Sequence, residues 1–296
     1  MNGSEPLQGA FDAFLRASLH EDLGDAGDVT SSATIPEDAT ATAYMVARES
    51  GCVAGLDVAL RTFQLLDDRV DIDALVRDGA SVEGGSRLAR VTGPARAILS
   101  AERVALNMLG QLSGVATATS RLVDRVSGTG ARIVDTRKTV PGIRALQKAA
   151  VRAGGGKNHR MGLYDAVLIK DNHIAAVGSP AEAVRRARDH VGPDFRVEVE
   201  IESLDDLEPV IESGADIVML DNMEPERMRD AVRRAGGRCV LEASGGITLE
   251  TVGAVAATGV DWISVGWLTH SAPSLDVALD FDDPLPRTSH GAARES

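Results

Sequence analysis

The sequence predicts a two-part α/β chain, a small α+β unit followed by a β/α barrel. Three observations carry this. From residue 132 onward, six short β-branched runs alternate with helical stretches, the rhythm of repeated βα units around a parallel sheet. A long run with helical apolar spacing over 98–126 separates this region from an N-terminal part with no such rhythm. The length, 296 residues, suits one large domain or two modest ones, and 44% hydrophobic with 25% charged residues is an ordinary globular composition.

In chain order, Phe11, Phe14, Leu15, Leu19 and Leu23 repeat at helical spacing and predict a helix over 7–23. Residues 24–36 are rich in turn formers and read as a loop. Short strands are expected at 41–48, 53–54 and 87–92, with a helix at 56–66. Ile98, Ala101, Ala105, Leu109, Leu112 and Ala116 mark the long helical run, with a break expected at Gly110 or Gly114 and a domain boundary near residue 112. The domains are therefore placed at 1–112 and 113–270, with 271–281 a candidate to pack back on the first and 282–296 a loose polar tail. The six later strands are expected at 132–135, 166–169, 196–201, 217–220, 239–242 and 262–265, with helices at 179–190, 204–213, 224–235 and 249–258. These units suggest a barrel, incomplete if the count stops at six; a doubly wound sheet is the structural alternative.

The net charge is −13. A globally acidic chain lacks the basic footprint of a nucleic-acid binder and is repelled by anionic membranes. No apolar stretch has transmembrane length, and the first residues lack the basic and apolar regions of a signal peptide. Two cysteines make no disulfide framework, which fits a reduced, cytoplasmic setting. Against this background residues 132–173 hold nine Lys or Arg and three Asp, a basic island on an acidic chain. All four lysines, Lys138, Lys148, Lys157 and Lys170, lie inside it. A solvated helix face accounts for such an island about as well as an anion site does. The clustering of lysine in a chain that otherwise uses arginine favours chemistry.

In a β/α barrel the site lies at the C-terminal ends of the strands. Those ends here carry Asp135-Thr136-Arg137-Lys138, Lys170-Asp171-Asn172-His173, Glu198 with Glu200 and Glu202, Asp221-Asn222, Glu242 to Gly246, and Ser264-Val265-Gly266. Loop ends are polar in any protein, but acids on a barrel strand have no wet face and must be paired or meet a ligand, which favours a role for Glu200. Ser244-Gly245-Gly246, before a helix expected near Thr248, and Gly266 on the next strand read as two halves of a phosphate cup. Gly154-Gly155-Gly156, followed by Lys157, Asn158, His159 and Arg160, reads as a flexible anion loop, with a plain glycine hinge as the bland alternative. Arg137 and Arg160 are suited to bidentate carboxylate binding. The residues thus describe a cup with phosphate grips on one side, cationic grips for a second anion on the other, and Glu200 and Asp221 between.

The segments DTRKTVPGIRALQKAAV at 135–151, GGGKNHRMGLYDAVLIKDNHI at 154–174, VEVEIE at 197–202, MLDNM at 219–223, LEASGGI at 241–247 and GVDWISVGWLTHSAPSLD at 259–276 closely resemble the quinolinate phosphoribosyltransferase (decarboxylating) family, also called nicotinate-nucleotide pyrophosphorylase (carboxylating). HEDLGDAGDVTSSATIP at 20–36 and AERVALNMLGQLSG at 101–114 share the likeness, which runs over roughly 15–281. The resemblance implies an open α/β sandwich followed by an incomplete barrel. It implies transfer from 5-phosphoribosyl 1-diphosphate to quinolinate, with loss of CO₂ and diphosphate, giving nicotinate mononucleotide for NAD synthesis. It implies Mg²⁺ and a homodimer in which Arg103 reaches the partner's site. The quinolinate grips would be Arg103, Thr136, Arg137, His159, Arg160 and Lys170. Lys138 and Lys170 would face the phosphoribosyl and diphosphate groups, Glu200 and Asp221 would lie near ribose and Mg²⁺, and Ser244, Gly245, Gly246, Val265, Gly266 and Trp267 would hold the 5-phosphate. Trp267 departs from the small residue the family has there, and Lys157 receives no role.

Three other readings share parts of this pattern: a Schiff-base lyase acting through Lys170, a phosphosugar sensor without turnover, and a transport-associated relative with another acceptor. The Asn158-His159-Arg160 segment and Arg137 favour the dicarboxylate acceptor.

Overall fold

The computed structural model describes residues 5–282; the polar tail expected at 282–296 falls, apart from Asp282, outside them. The strands are β1 (Thr40–Ala47), β2 (Gly51–Cys52), β3 (Asp71–Ala74), β4 (Ser81–Val82), β5 (Arg87–Pro94), β6 (Arg132–Val134), β7 (Val167–Ile169), β8 (Val197–Ile201), β9 (Ile217–Asp221), β10 (Val240–Ser244), β11 (Trp262–Ser264) and β12 (Val277–Phe281). The described residues divide into two compact units, one running to Gly114 and resuming at Pro273, the other spanning Val115–Ala272.

The first unit is an antiparallel sheet in the order β12-β1-β5-β3, with helices over its apolar face. Phe63 and Leu60 from the helix Leu56–Leu66, Ile98 and Leu109 from the helix Ala95–Arg125, and Met45, Leu88 and Val91 from the sheet make its core. β12 returns to pair with β1, residue for residue from Ala43–Phe281 to Ala47–Val277. Two expectations need correction. The segment 24–36 contains a helix, Val29–Thr34, whose N-terminus is capped by the Asp28 carboxylate accepting from the Ser31 N–H at 2.9 Å. The long helix is unbroken at Gly110 and Gly114. These glycines admit a neighbouring backbone instead: a Cβ at Gly114 would lie 2.1 Å from the Pro273 carbonyl oxygen, and one at Gly110 2.9 Å from that of Leu275.

The second unit is a six-stranded parallel sheet in the order β6-β11-β10-β9-β8-β7. β6 pairs with the last strand of the series and not with β7, so the barrel is open between them. This is the incomplete barrel the sequence predicts. Alternation along each strand explains its two faces. Val197, Val199, Ile201, Val218, Leu220, Leu241, Ala243 and Ile263 pack in the hydrophobic core with residues of the surrounding helices. Their neighbours Leu168, Glu198, Glu200, Met219, Asp221, Glu242, Ser244 and Ser264 line cavities inside. Most barrels fill that interior with branched apolar side chains. Here it is largely polar, and that difference places the site.

Candidate active site

The cavity at the C-terminal ends of the strands has a volume of about 930 Å³. Of the residues singled out from sequence, Thr136, Arg137, Lys138, His159, Arg160, Lys170, Glu200, Asp221, Ser244, Gly245, Gly246, Val265, Gly266 and Trp267 all line it. Arg103 does not; it lies on the long helix within the first unit, with an exposed side chain 3.7 Å from Glu102. Asn222, Glu242, Thr248 and His270 also line the cavity, and sequence alone assigns them no role.

One wall is two glycine turns. Gly245 and Gly246 have φ of +99° and +59°, left-handed values open to glycine. A Cβ on Gly245 would lie 2.1 Å from Asn222 Oδ1. Asn222 itself has φ +50°, its N–H donates to the Ser244 carbonyl at 2.9 Å, and its Nδ2 donates to Asp221 Oδ2 at 2.8 Å. The β9 and β10 ends are thus locked together. The following helix begins only at Val252, so the turn's own amides, not a helix start near Thr248, face any anion there. Trp267, the departure from the family's small residue, donates Nε1–H to the Ile247 carbonyl at 3.0 Å and ties the second turn to the first. Lys138 stretches across to this wall: a Cβ on Gly266 would lie 2.9 Å from its Cδ and 3.7 Å from its Nζ.

A second part of the lining is cationic. Arg137 and Arg160 each have a buried Nε–H with no hydrogen-bond partner. Arg160 is held by its Nη1–H to the Ala166 carbonyl at 3.2 Å. Burial and the nearby Arg137 charge both push its pKa down, while Glu198 opposes them. Unpaired buried donors of this kind are costly unless a ligand satisfies them. Between the walls Lys170 Nζ donates to Glu200 Oε2 at 2.6 Å.

His159 lines the cavity, but its ring nitrogens point elsewhere. Nδ1 accepts from the Arg160 N–H at 2.7 Å. Nε2 lies 2.8 Å from Glu198 and 3.5 Å from Glu242, both fully buried. Burial opposes charge on the ring, while the two carboxylates favour it and raise its pKa. With the Arg160 amide on Nδ1 the ring is neutral and carries its one proton on Nε2, toward the carboxylates; the charged ring that the carboxylates favour would have to give that amide up. The three ligand-type atoms lie within 4.8 Å of one another. A cation bound at about 2.0–2.2 Å from each would hold nitrogen and oxygen farther apart than 2.8 Å, so this is an ion cluster.

The glycine-rich loop also departs from its reading. A Cβ on Gly154 would lie 2.3 Å from the Ala116 carbonyl oxygen, and one on Gly156 2.8 Å from Thr119 and Val151. The glycines serve close packing, not flexibility. What holds the loop is Asp135, which accepts from the His159 N–H at 2.9 Å, from Asn158 Nδ2 and from Lys148 Nζ. Lys148, one of the four clustered lysines, is wholly buried and also donates to the His159 carbonyl at 3.1 Å. Burial pushes Asp135 up and Lys148 down in pKa, each opposed by its partner.

Comparison with known proteins identifies the family. Residues 28–113 match the model of the quinolinate phosphoribosyl transferase N-terminal domain, and 115–280 that of its C-terminal domain. A nicotinate-nucleotide pyrophosphorylase [carboxylating] from Mycobacterium leprae (strain TN) is 46% identical over 275 residues, covering 90% of this chain and 95% of the relative. A probable enzyme of the same name from Bacillus subtilis (strain 168) is 46% identical over 260 residues, covering 88% and 89%. The structure of the nicotinate-nucleotide pyrophosphorylase from Francisella tularensis superposes with a TM-score of 0.88 at 42% identity, covering 92% of this chain and 96% of that one.

Proposed function

The chain belongs to the quinolinate phosphoribosyl transferase family, and from that premise we propose how its cavity divides the work of the family's reaction. That reaction is phosphoribosyl transfer from 5-phosphoribosyl 1-diphosphate to quinolinate with decarboxylation, yielding nicotinate mononucleotide, CO₂ and diphosphate. The observation that carries the division is the pair of buried, unpartnered Arg137 and Arg160 Nε–H groups in the same cavity as the two glycine turns.

Quinolinate lies against Arg137 and Arg160, with Thr136 and Lys170 beside it. Their donors align the pyridine nitrogen toward the ribose. The 5-phosphate lies on Ser244, Gly245, Gly246, Val265, Gly266 and Trp267, where backbone amides and Lys138 meet it. As the bond to diphosphate breaks, positive charge develops on the ribose, and the Glu200 carboxylate stabilises it. Asp221, held by Asn222, stands on the adjacent strand. For Glu200 to face the ribose and Lys170 the anions, their 2.6 Å ion pair must part. Nitrogen attack makes the ring cationic, which lets the adjacent carboxylate leave as CO₂.

Glu200 and Asp221 offer hard carboxylate oxygens at the cavity, a donor set that suits Mg²⁺. Bound there with the substrate's own oxygens and water, Mg²⁺ would neutralise the leaving diphosphate. Arg103 is assigned to the partner's site in a homodimer; its exposure and its absence from this chain's cavity support that reading. No helix among the described residues is long and apolar enough to cross a membrane. The cysteine usage supports a cytoplasmic setting.

The test is diphosphate release from 5-phosphoribosyl 1-diphosphate and Mg²⁺ with quinolinate, with nicotinic acid as the control acceptor. Release with quinolinate alone, lost in Arg137→Ala and Lys170→Ala variants that still fold, is the expected result. Wild-type turnover in either variant overturns the assignment.

A further inference from the structure

Beneath the cationic wall the barrel holds two carboxylates that no step above uses. Glu198 on β8 and Glu242 on β10 flank β9, and both are fully buried. Glu198 Oε1, both oxygens of Glu242 and His159 Nε2 itself have no aligned hydrogen-bond partner. What the two acids share is the His159 ring edge, at 2.8 and 3.5 Å from Nε2. Trp262 meets the same ring edge to face, with centroids 6.1 Å apart. The ring's other edge, Nδ1, accepts the Arg160 amide at 2.7 Å.

Buried carboxylates with unsatisfied oxygens destabilise a fold, and well-packed neutral groups of the same size often serve stability better. Stability alone therefore gives no reason to keep this pair. Its geometry gives one. At Nε2 the ring lies against the two acids, a close polar contact without an aligned hydrogen bond, and at Nδ1 it grips the backbone of the residue whose guanidinium faces the cavity. A ring freed at Nε2 turns about its side-chain bonds and releases that amide. We infer that Glu198 and Glu242 are positioning residues for the acceptor: through His159 they fix the backbone of Arg160, and with it the angle at which its free Nε–H meets a carboxylate. His159 then acts as a buttress, not as a donor to the acceptor. This rests on the reading of Arg160 as an acceptor grip.

The effect is specific to one substrate. The 5-phosphate turns hang on Asn222, Trp267 and Lys138, none of which is seen to contact this cluster. Neutralising either acid is expected to raise KM for quinolinate roughly tenfold, the loss of one well-aligned charge-assisted hydrogen bond. KM for 5-phosphoribosyl 1-diphosphate and kcat at saturating quinolinate stay within about twofold, because the grip is lost and the reacting groups are not.

The experiment compares Glu198→Gln, Glu242→Gln and Arg160→Gln with the wild type, measuring both KM values, kcat and thermal melting. The expected result is a quinolinate-specific rise in KM in all three, with the Glu198→Gln and Glu242→Gln variants melting at or above the wild-type temperature. If Arg160→Gln raises KM and neither acid variant does, the inference falls and the grip reading stands. If none of the three raises it, the grip reading itself falls. Loss of folding in both acid variants, or equal rises in both KM values, makes the pair a structural element and overturns the inference.

Discussion

Replacing Lys148 by methionine removes a buried ammonium while nearly keeping its volume. In the structure Nζ bonds the Asp135 carboxylate and the His159 carbonyl, and both are left behind. A hydrogen bond to a charged group contributes about 1.5–3 kcal/mol and a neutral one about 1 kcal/mol. Breaking one side of a buried ion pair costs about 3–5 kcal/mol by direct measurement in other proteins, which agrees. Asp135 keeps the His159 amide and Asn158 Nδ2, so the lower half of that range, about 3–4 kcal/mol, is expected. Guanidinium denaturation followed by circular dichroism reads it as a lower midpoint with an unchanged slope. The double variant Lys148→Met with Asp135→Asn should recover part of the loss, since no charge is then stranded. A single variant within about 0.5 kcal/mol of wild type refutes the reasoning, because surface-type substitutions change stability no more than that.

Three further outcomes follow from the geometry. Gly245→Ala puts a methyl against Asn222 at a left-handed backbone position and should raise KM for 5-phosphoribosyl 1-diphosphate at least tenfold while sparing quinolinate affinity measured by calorimetry. Arg103→Ala and Lys170→Ala homodimers should each be inactive, yet subunits mixed from the two should regain about a quarter of wild-type activity, because one site of each mixed dimer is intact; no recovery after exchange, checked by native mass spectrometry, rejects the shared site. Burial, with Asp261 nearby, pushes the Cys239 thiol up to about 11, so at about pH 8 a thiol-disulfide reagent should label it only after denaturant is added.

Much of the site was legible because barrel strands deliver their chemistry at a fixed end. Arg137, Lys170, Glu200, Asp221 and the two glycine turns could be located by counting strands. What escaped was depth and partnership. Glu198 and Glu200 share a strand face, so alternation names both as inward and cannot say that one sits at the cavity and the other under it. The four lysines look alike in sequence, yet Lys138 and Lys170 line the cavity while Lys148 is sealed in a helix, Arg144–Ala153, whose polar composition hid its buried stripe. His159 stands beside the expected ligand, but the direction of its ring is set by acids some forty and eighty residues away. Gly110 and Gly114 gave a signal that was real and misassigned: both a helix break and a close backbone approach call for glycine, and only the fold says which.

The pairing of β1 with β12 has a consequence for how the chain is made. A ribosome delivers β1 early, but the strand that covers its outer edge arrives only after the whole catalytic unit has emerged. At common elongation rates that interval is on the order of ten seconds or more. During it the first sheet stands with one row of amides and carbonyls open, a template for any other extended strand. The inserted second unit, whose strands all lie within one continuous segment, has every partner it needs before then. Birth order and assembly order are thus reversed: the part synthesised first is the last that can close.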